Sequence, residues 1–503
     1  MLVQSRSREK GKRMNIKDIR RAGVPLFAIE SQDPAATMKA ALAAVNGKAE
    51  SIPIAQWDMT NGLRGVNSAG ETAISWYDPL AMNLPEILKG LQGMPQDSIV
   101  FMHNLNRFWE RDGVAQGVWC LRDAFKASHC TLVLLGANAK LPAELQSDVV
   151  VSTEPPPSRE EVDGIVTKIL ASAGKAGAKV EQTDRGAVSG ALLGLGSAFD
   201  VEQTLSLSIG KSGVDVPSCW ERKIKRLKAT TGAEITINNP TFKDLAGCAN
   251  VKSEISGFIN GRQKPGVVLF MDEIEKLFAG AGTDLSGVST NLVGMFLTWT
   301  AERKAKGFLL PGVPGAGKTW TATCTAGEAK VPLFKLADMK ASLVGESEGK
   351  LRSALAAVDA LAGDGSVLMV ASCNWVDNIS PDIMARFTMG QFFYDFPTTE
   401  ERGALWKLFM RKLELPDQEI PSSDGWVGRE IESCCWRAWQ YQRPLVEVAR
   451  NICPSSISQK TKLEALRKAC SGRFLSAATP GLYQAREIST PLPASGDRVL
   501  KFD

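Results

Sequence analysis

The segment Gly312-Val-Pro-Gly-Ala-Gly-Lys318-Thr319 restricts this chain more than any other feature. It fits the spacing G-x-x-x-x-G-K-[ST] and has the surroundings that spacing needs. An apolar run, Gly307-Phe-Leu-Leu-Pro311, precedes it, and a helix-forming stretch from Thr319 to Ala329 follows. Glycines let a backbone curl around a phosphate, and successive N–H groups plus a helix start supply positive potential. A strand, a loop and a helix in that order predict a P-loop fold of the α/β class, with a parallel sheet. Lys318 is expected to reach the β- and γ-phosphates, and Thr319 to bind Mg²⁺. The expected cradle comprises Gly312, Val313, Pro314, Gly315, Ala316, Gly317, Lys318, Thr319 and Trp320.

A second apolar run, Val267–Met271, ends in Asp272 and Glu273. Both carboxylates are thereby expected at the C-terminal edge of a strand, where open α/β sheets bind ligands. Asp272 is predicted to join Thr319 around Mg²⁺, and Glu273 to orient and deprotonate an attacking water. ATP and Mg²⁺ are the cofactors this pairing calls for.

Composition removes other classes. The chain has 503 residues, 44% hydrophobic and 23% charged, which is ordinary for a globular protein of several domains. Lys and Arg total 59 against 55 Asp and Glu, so net charge is +4 and bulk electrostatics give no case for nucleic acid. No apolar run reaches the ~18 residues of a membrane span. Ten scattered cysteines without a C-x-x-C pair predict a reduced, cytoplasmic chain. Two histidines, His103 and His129, are too few for a His-rich metal centre.

The order of apolar runs, prolines and capping boxes predicts six segments. These are a basic tail (1–22), an α/β domain (23–157), a helical connector (158–237), an α/β core (238–396), a helical lid (397–476) and a tail (477–503). Strands are expected at Val24–Ile29, Ser98–Met102 and Thr131–Leu135 in the first half. In the second they are expected at Val267–Met271, Phe308–Leu310, Pro332–Leu336, Ser366–Ala371 and Gln391–Asp395. Ser158 with Glu161, and Thr398 with Glu401, read as capping boxes that open helices.

Several segments carry a family resemblance: Pro240-Thr-Phe-Lys-Asp-Leu-Ala-Gly247, Leu343-Val-Gly-Glu-Ser-Glu348, Ser366–Asn374, Ser380–Phe387 and Gly425–Ile431. With the phosphate loop and the Asp272-Glu273 strand, they resemble the AAA family of ring ATPases over about residues 240–472. A narrower likeness is to the uncharacterised AAA proteins of cyanobacteria, plastids and phages, whose first half is a degenerate ATPase domain. The resemblance implies an ATPase that releases ADP and phosphate, works as a hexameric ring and remodels a protein substrate or adaptor. An ATP-gated scaffold and a nucleic-acid motor are the alternatives. It further implies that Asp244 and Gly247 lie beside the adenine and that Asn374 positions water or senses the γ-phosphate. Arg386 would reach into a neighbour's site. Arg429 would contact phosphate from the lid, or be an ordinary exposed helix residue. Leu343 stands where the family carries a pore-loop aromatic. The first half has His103-Asn104 in place of Asp-Glu and no phosphate loop, so it is expected not to hydrolyse ATP.

One feature departs from the family. There the phosphate loop comes first, whereas here the block 265–304, with Asp272-Glu273, precedes Gly312. The family sheet runs finger strand, P-loop strand, sensor-1 strand, Asp-Glu strand, pore-loop strand. If that order is kept, this chain steps −2, +3, −2, −2 across it. Each crossover then retains its right-handed sense and each helix its face. The joints Ala305–Gly307 and Ala362–Gly365 must each span one additional strand.

Overall fold

The computed structural model describes residues 16–45, 51–80, 82–278, 288–336 and 346–486. It divides into two compact units, Met1–Cys219 and Trp220–Asp503.

The first unit holds a six-stranded sheet. Its strands are β1 (Leu26–Glu30), β2 (Ile54–Asp58), β3 (Gly62–Gly65), β4 (Ile99–His103), β5 (Thr131–Gly136) and β6 (Val150–Thr153). They lie in the order β3-β2-β4-β5-β1-β6, parallel throughout except for the β2–β3 hairpin. The sequence reading missed β2, β3 and β6. They are short and carry polar residues on one face, so no apolar run marks them.

The turn after β1 leads into a helix, Pro34–Ala44, whose first N–H groups face the Asp33 carboxylate; Ala36 N–H donates to it at 3.0 Å. Where a phosphate loop would offer open N–H groups, this unit closes the helix start with its own negative charge. At the end of β4, Asn104 adopts a left-handed conformation at φ 52°. The Nε2 of His103 is buried without a hydrogen-bond partner among the described residues. Burial holds its imidazole below the usual range.

Three helices follow, Arg159–Lys175, Arg185–Leu192 and Ala198–Ser206, the first opened by the Ser158–Glu161 box. A small hairpin, β7 (Ile209–Gly210) and β8 (Gly213–Val214), precedes the helix Val216–Thr231, within which the division between the two units falls.

The second unit contains β9 (Glu234–Thr236), β10 (Pro265–Met271), β11 (Lys306–Pro311), β12 (Leu333–Leu336), β13 (Ser366–Cys373), β14 (Gly390–Phe393) and β15 (Leu475–Ser476). The sheet order is β15-β14-β11-β13-β10-β12-β9. Its five central strands are parallel and stand in the order that the family resemblance implies, with the chain stepping −2, +3, −2, −2. The tight joint between Ala362 and β13 is made by glycines. A Cβ on Gly266 would lie 2.1 Å from the Ala362 carbonyl oxygen, and one on Gly365 would lie 2.6 Å from Gly266 N.

Side chains alternate between two apolar layers, as the pleat requires. Val267, Leu269 and Met271 pack with Phe296, Trp299 and Leu351, from the helices Val288–Arg303 and Glu346–Ala362. Val268 and Phe270 pack on the opposite face with Val251, Ile255 and Ala322, from Ala249–Ile259 and Lys318–Ala329. Cover on both faces explains why these strands read as continuous apolar runs.

The lid is helical: Thr399–Lys412, Gly428–Tyr441, Leu445–Ala449, Ser455–Ser458 and Lys460–Cys470, around Trp406, Trp426 and Ile431. The chain then returns to the core, where β15 pairs with β14. Buried Arg467 forms a two-pronged ion pair with Asp395 at 2.6 and 2.9 Å, and Tyr483 donates to the same carboxylate at 2.9 Å.

Candidate functional site

The P-loop leaves β11 at Gly312, which pairs with Tyr394 and has φ 150°. A Cβ there would lie 2.2 Å from the Tyr394 carbonyl oxygen, so only glycine fits. The loop is pinned by Gly312 N–H to Cys373 O (3.1 Å) and Val313 N–H to Tyr394 O (2.8 Å). Gly317, at φ 97°, caps the helix Lys318–Ala329 without a side-chain bond. Its first-turn N–H groups have no capping side chain, unlike those behind Asp33.

Lys318 is buried. Its ammonium donates to Gly312 O (2.6 Å), Val313 O (2.9 Å) and Asn374 Oδ1 (2.9 Å). Burial pushes it down to about 8, against the opposing pull of nearby Glu275 and Asp272.

From β10, Asp272 and Glu273 arrive at the same place. Thr319 Oγ1 lies 3.4 Å from Asp272 Oδ1, which also accepts Ser372 Oγ–H at 2.6 Å. Ser372 Oγ in turn accepts Glu273 N–H at 2.8 Å and thereby helps hold Glu273 at φ 48°. Asn374 Nδ2 donates to Glu273 Oε1 at 2.7 Å. One carboxamide thus joins the P-loop lysine to the carboxylate of the neighbouring strand. Lys276 forms an ion pair with Glu273. Lys335 from β12 stands 3.9 Å from Asp272 Oδ2.

These groups open onto a cavity of about 1040 Å³. Pro314 to Trp320, Asp272, Glu273 and Asn374 line it, as do Asp244, Gly247 and Arg429. Trp320 Nε1–H donates to Asp244 O at 2.9 Å, while the Asp244 carboxylate accepts Thr241 N–H at 3.0 Å. Gly247, at φ 72°, leaves room for Glu401, which accepts Cys248 N–H at 2.8 Å. Arg429 N–H donates to Gly315 O at 3.3 Å, which ties the lid to the P-loop. Gly312 and Val313 lie beneath the cavity rather than in its wall. Arg386 also stands outside it, with Nε buried and unpartnered among the described residues. Leu343 falls outside the described residues.

Sequence reasoning missed Ser372, Glu275 and Lys335, and the contribution of Ser476–Arg486 to the cavity wall. Ser372 alone left a signal, as a polar residue inside an apolar run. Among the described residues no group of three or more His, Cys, Asp or Glu could hold a metal. The oxygens of Asp272 and Thr319 suit Mg²⁺ nonetheless, because that ion is held by one or two protein groups together with substrate phosphates and water.

Two families match the chain. Residues 13–153 match the SpoVK-like AAA ATPase N-terminal domain, and residues 308–363 match the ATPase family associated with various cellular activities (AAA). An ATP-dependent zinc metalloprotease FtsH of Mesomycoplasma conjunctivae is 36% identical over 97 residues, 19% of this chain and 9% of the relative. The uncharacterized AAA domain-containing protein ycf46 of Guillardia theta is 26% identical over 181 residues, 26% of this chain and 36% of the relative. The FtsH of Karelsulcia muelleri is 25% identical over 255 residues, 39% of this chain and 36% of the relative. The chain thus spans little more than a third of the length of these relatives at most. The crystal structure of the FIGL-1 AAA domain in complex with ADP aligns with 49% of this chain and 96% of that one, at 17% identity and a TM-score of 0.32. No helix among the described residues is long and apolar enough to cross a membrane.

Proposed function

We propose that this chain, which matches AAA ATPase families over residues 13–153 and 308–363, hydrolyses ATP at the cavity beyond the C-terminal ends of β10, β13 and β11. The observation that carries this reading is the convergence of two strands from an unusual chain order. Thr319 meets Asp272 at 3.4 Å, and Asn374 bridges Lys318 and Glu273.

In this reading the P-loop N–H groups and Lys318 hold the β- and γ-phosphates. Thr319 and Asp272 hold Mg²⁺, which would neutralise charge between those phosphates. Glu273 takes the proton of the attacking water, and Asn374 orients that water against the γ-phosphate. Asp244, Gly247 and Trp320 enclose the base, and Arg429 covers the phosphates from the lid. Arg386, outside its own chain's cavity, serves a neighbouring copy in a hexameric ring, and turnover moves the lid to remodel a protein partner. A cytoplasmic setting belongs to the same proposal; all ten cysteines are free thiols. The first unit, with Asp33 at its helix start, serves as a non-hydrolysing domain.

The test is Mg²⁺-dependent phosphate release by the full chain beside Lys318→Ala. The reading expects turnover in the first, and loss of both ATP binding and turnover in the second. Equal activity in the two would overturn it.

A further inference from the structure

Glu275 is buried against Asn374, a residue of the cavity wall, and neither the phosphate loop nor the Asp-Glu pair accounts for it. It belongs to a short helix, Ile274–Leu277, that begins where Glu273 turns left-handed. Its side chain is 5% exposed. Oε1 accepts the backbone N–H of Asn374 at 2.9 Å. Oε2 is sealed from solvent without a hydrogen-bond partner among the described residues. The Cys373 thiol and the Lys318 ammonium are its other neighbours, and burial, reinforced by this carboxylate, pushes the Cys373 thiol up.

A carboxyl group buried this deeply, with only the Asn374 N–H and the Cys373 thiol beside it as hydrogen-bond partners among the described residues, costs stability. A fold that needed only volume at this point would be served better by an apolar side chain. What the carboxylate does geometrically is specific. Asn374 is the first residue beyond β13, and no strand pairing fixes its main chain there. The Glu275 bond fixes it instead. The Asn374 carboxamide can then point one end at Lys318 and the other at Glu273, at 2.9 and 2.7 Å. A carboxamide on an unfixed backbone would lose one of those two contacts.

We propose that Glu275 is a positioning residue for ATP hydrolysis: through the Asn374 main chain it sets the carboxamide that aligns the base with the substrate phosphates. This rests on the ATPase reading above. It acts through Asn374 and does not touch the reacting atoms.

The experiment compares Glu275→Ala and Glu275→Gln with the unaltered full chain, measuring kcat, KM and hydrogen exchange at the Asn374 amide. Glutamine keeps an oxygen that can accept the N–H, whereas alanine does not. Glu275→Ala is expected to lower kcat by about 10- to 100-fold, the loss typical of small misplacements, with KM changed by less than about threefold. Glu275→Gln is expected to recover most of kcat. Amide protection at Asn374 should fall in the alanine variant and persist in the glutamine variant. A full kcat in Glu275→Ala overturns the proposal, as does a glutamine variant as impaired as the alanine one. Equal amide protection in all three chains also overturns it, and that readout does not depend on turnover. Absent turnover in the unaltered chain would instead count against the ATPase reading.

Discussion

Glu273 is bound on two sides, by the Asn374 carboxamide and by the Lys276 ammonium. The Lys276 pair is largely solvent-exposed, so its effect on stability is small, about 0–1 kcal/mol. Its effect on chemistry is larger, because the ammonium occupies Oε2 while the Asn374 carboxamide occupies Oε1, so both oxygens that could take a proton from water are engaged. Lys276→Met is therefore expected to leave the thermal midpoint unchanged and to raise kcat roughly two- to tenfold; an unchanged or lower kcat in a steady-state assay would refute this. Lys223 is a second residue with a consequence. It is fully buried beside the Trp220 ring, and burial pushes its ammonium down to about 7 from 10.5. The unfolded chain holds this proton up to about 10.5, so stability gains with rising pH between about 7 and 10.5, by at most ~1.4 kcal/mol per unit. The burial penalty is full below about 7. Denaturant titrations should show that slope, and Lys223→Met should reduce it; an equal slope in both chains would contradict it.

At the scale of elements, the moved strand is the instructive case. Its sheet position is legible through the family resemblance, with which right-handed crossovers are compatible. The means of closing the short joint is not legible, because it depends on backbones meeting at Gly266 and Gly365. Gly266→Val is expected to lower stability by about 1–3 kcal/mol through overpacking, as read by denaturant midpoint; a neutral change would mean the joint has slack. The same contrast runs through the site. Lys318, Thr319, Asp272 and Glu273 announce themselves by residue type and spacing. Glu275 and Lys335 do not, because their partners are distant in sequence and become visible only once β13 and β12 flank β10, and Ser372 shows only as a polar residue inside an apolar run. Strands β2, β3 and β6 were hidden for a simpler reason, their shortness and polar faces.

Across the whole molecule, the two sheets share one order. β6-β1-β5-β4-β2-β3 in the first unit matches β14-β11-β13-β10-β12-β9 in the second. His103-Asn104 ends the strand that corresponds to β10, and Asn104 and Glu273 share a left-handed backbone, at φ 52° and 48°. The chemistry diverges, since Asp33 fills the helix start that Gly317 leaves open. One ATP bound per chain is expected in equilibrium titration, and two would contradict the closed first unit. The proposed catalytic centre draws its residues from strands in a transposed order. The most direct measurement is nucleotide retention and phosphate release by Glu273→Gln in the presence of Mg²⁺. The variant is expected to keep ATP bound and to release no phosphate. Normal turnover in that variant would contradict it.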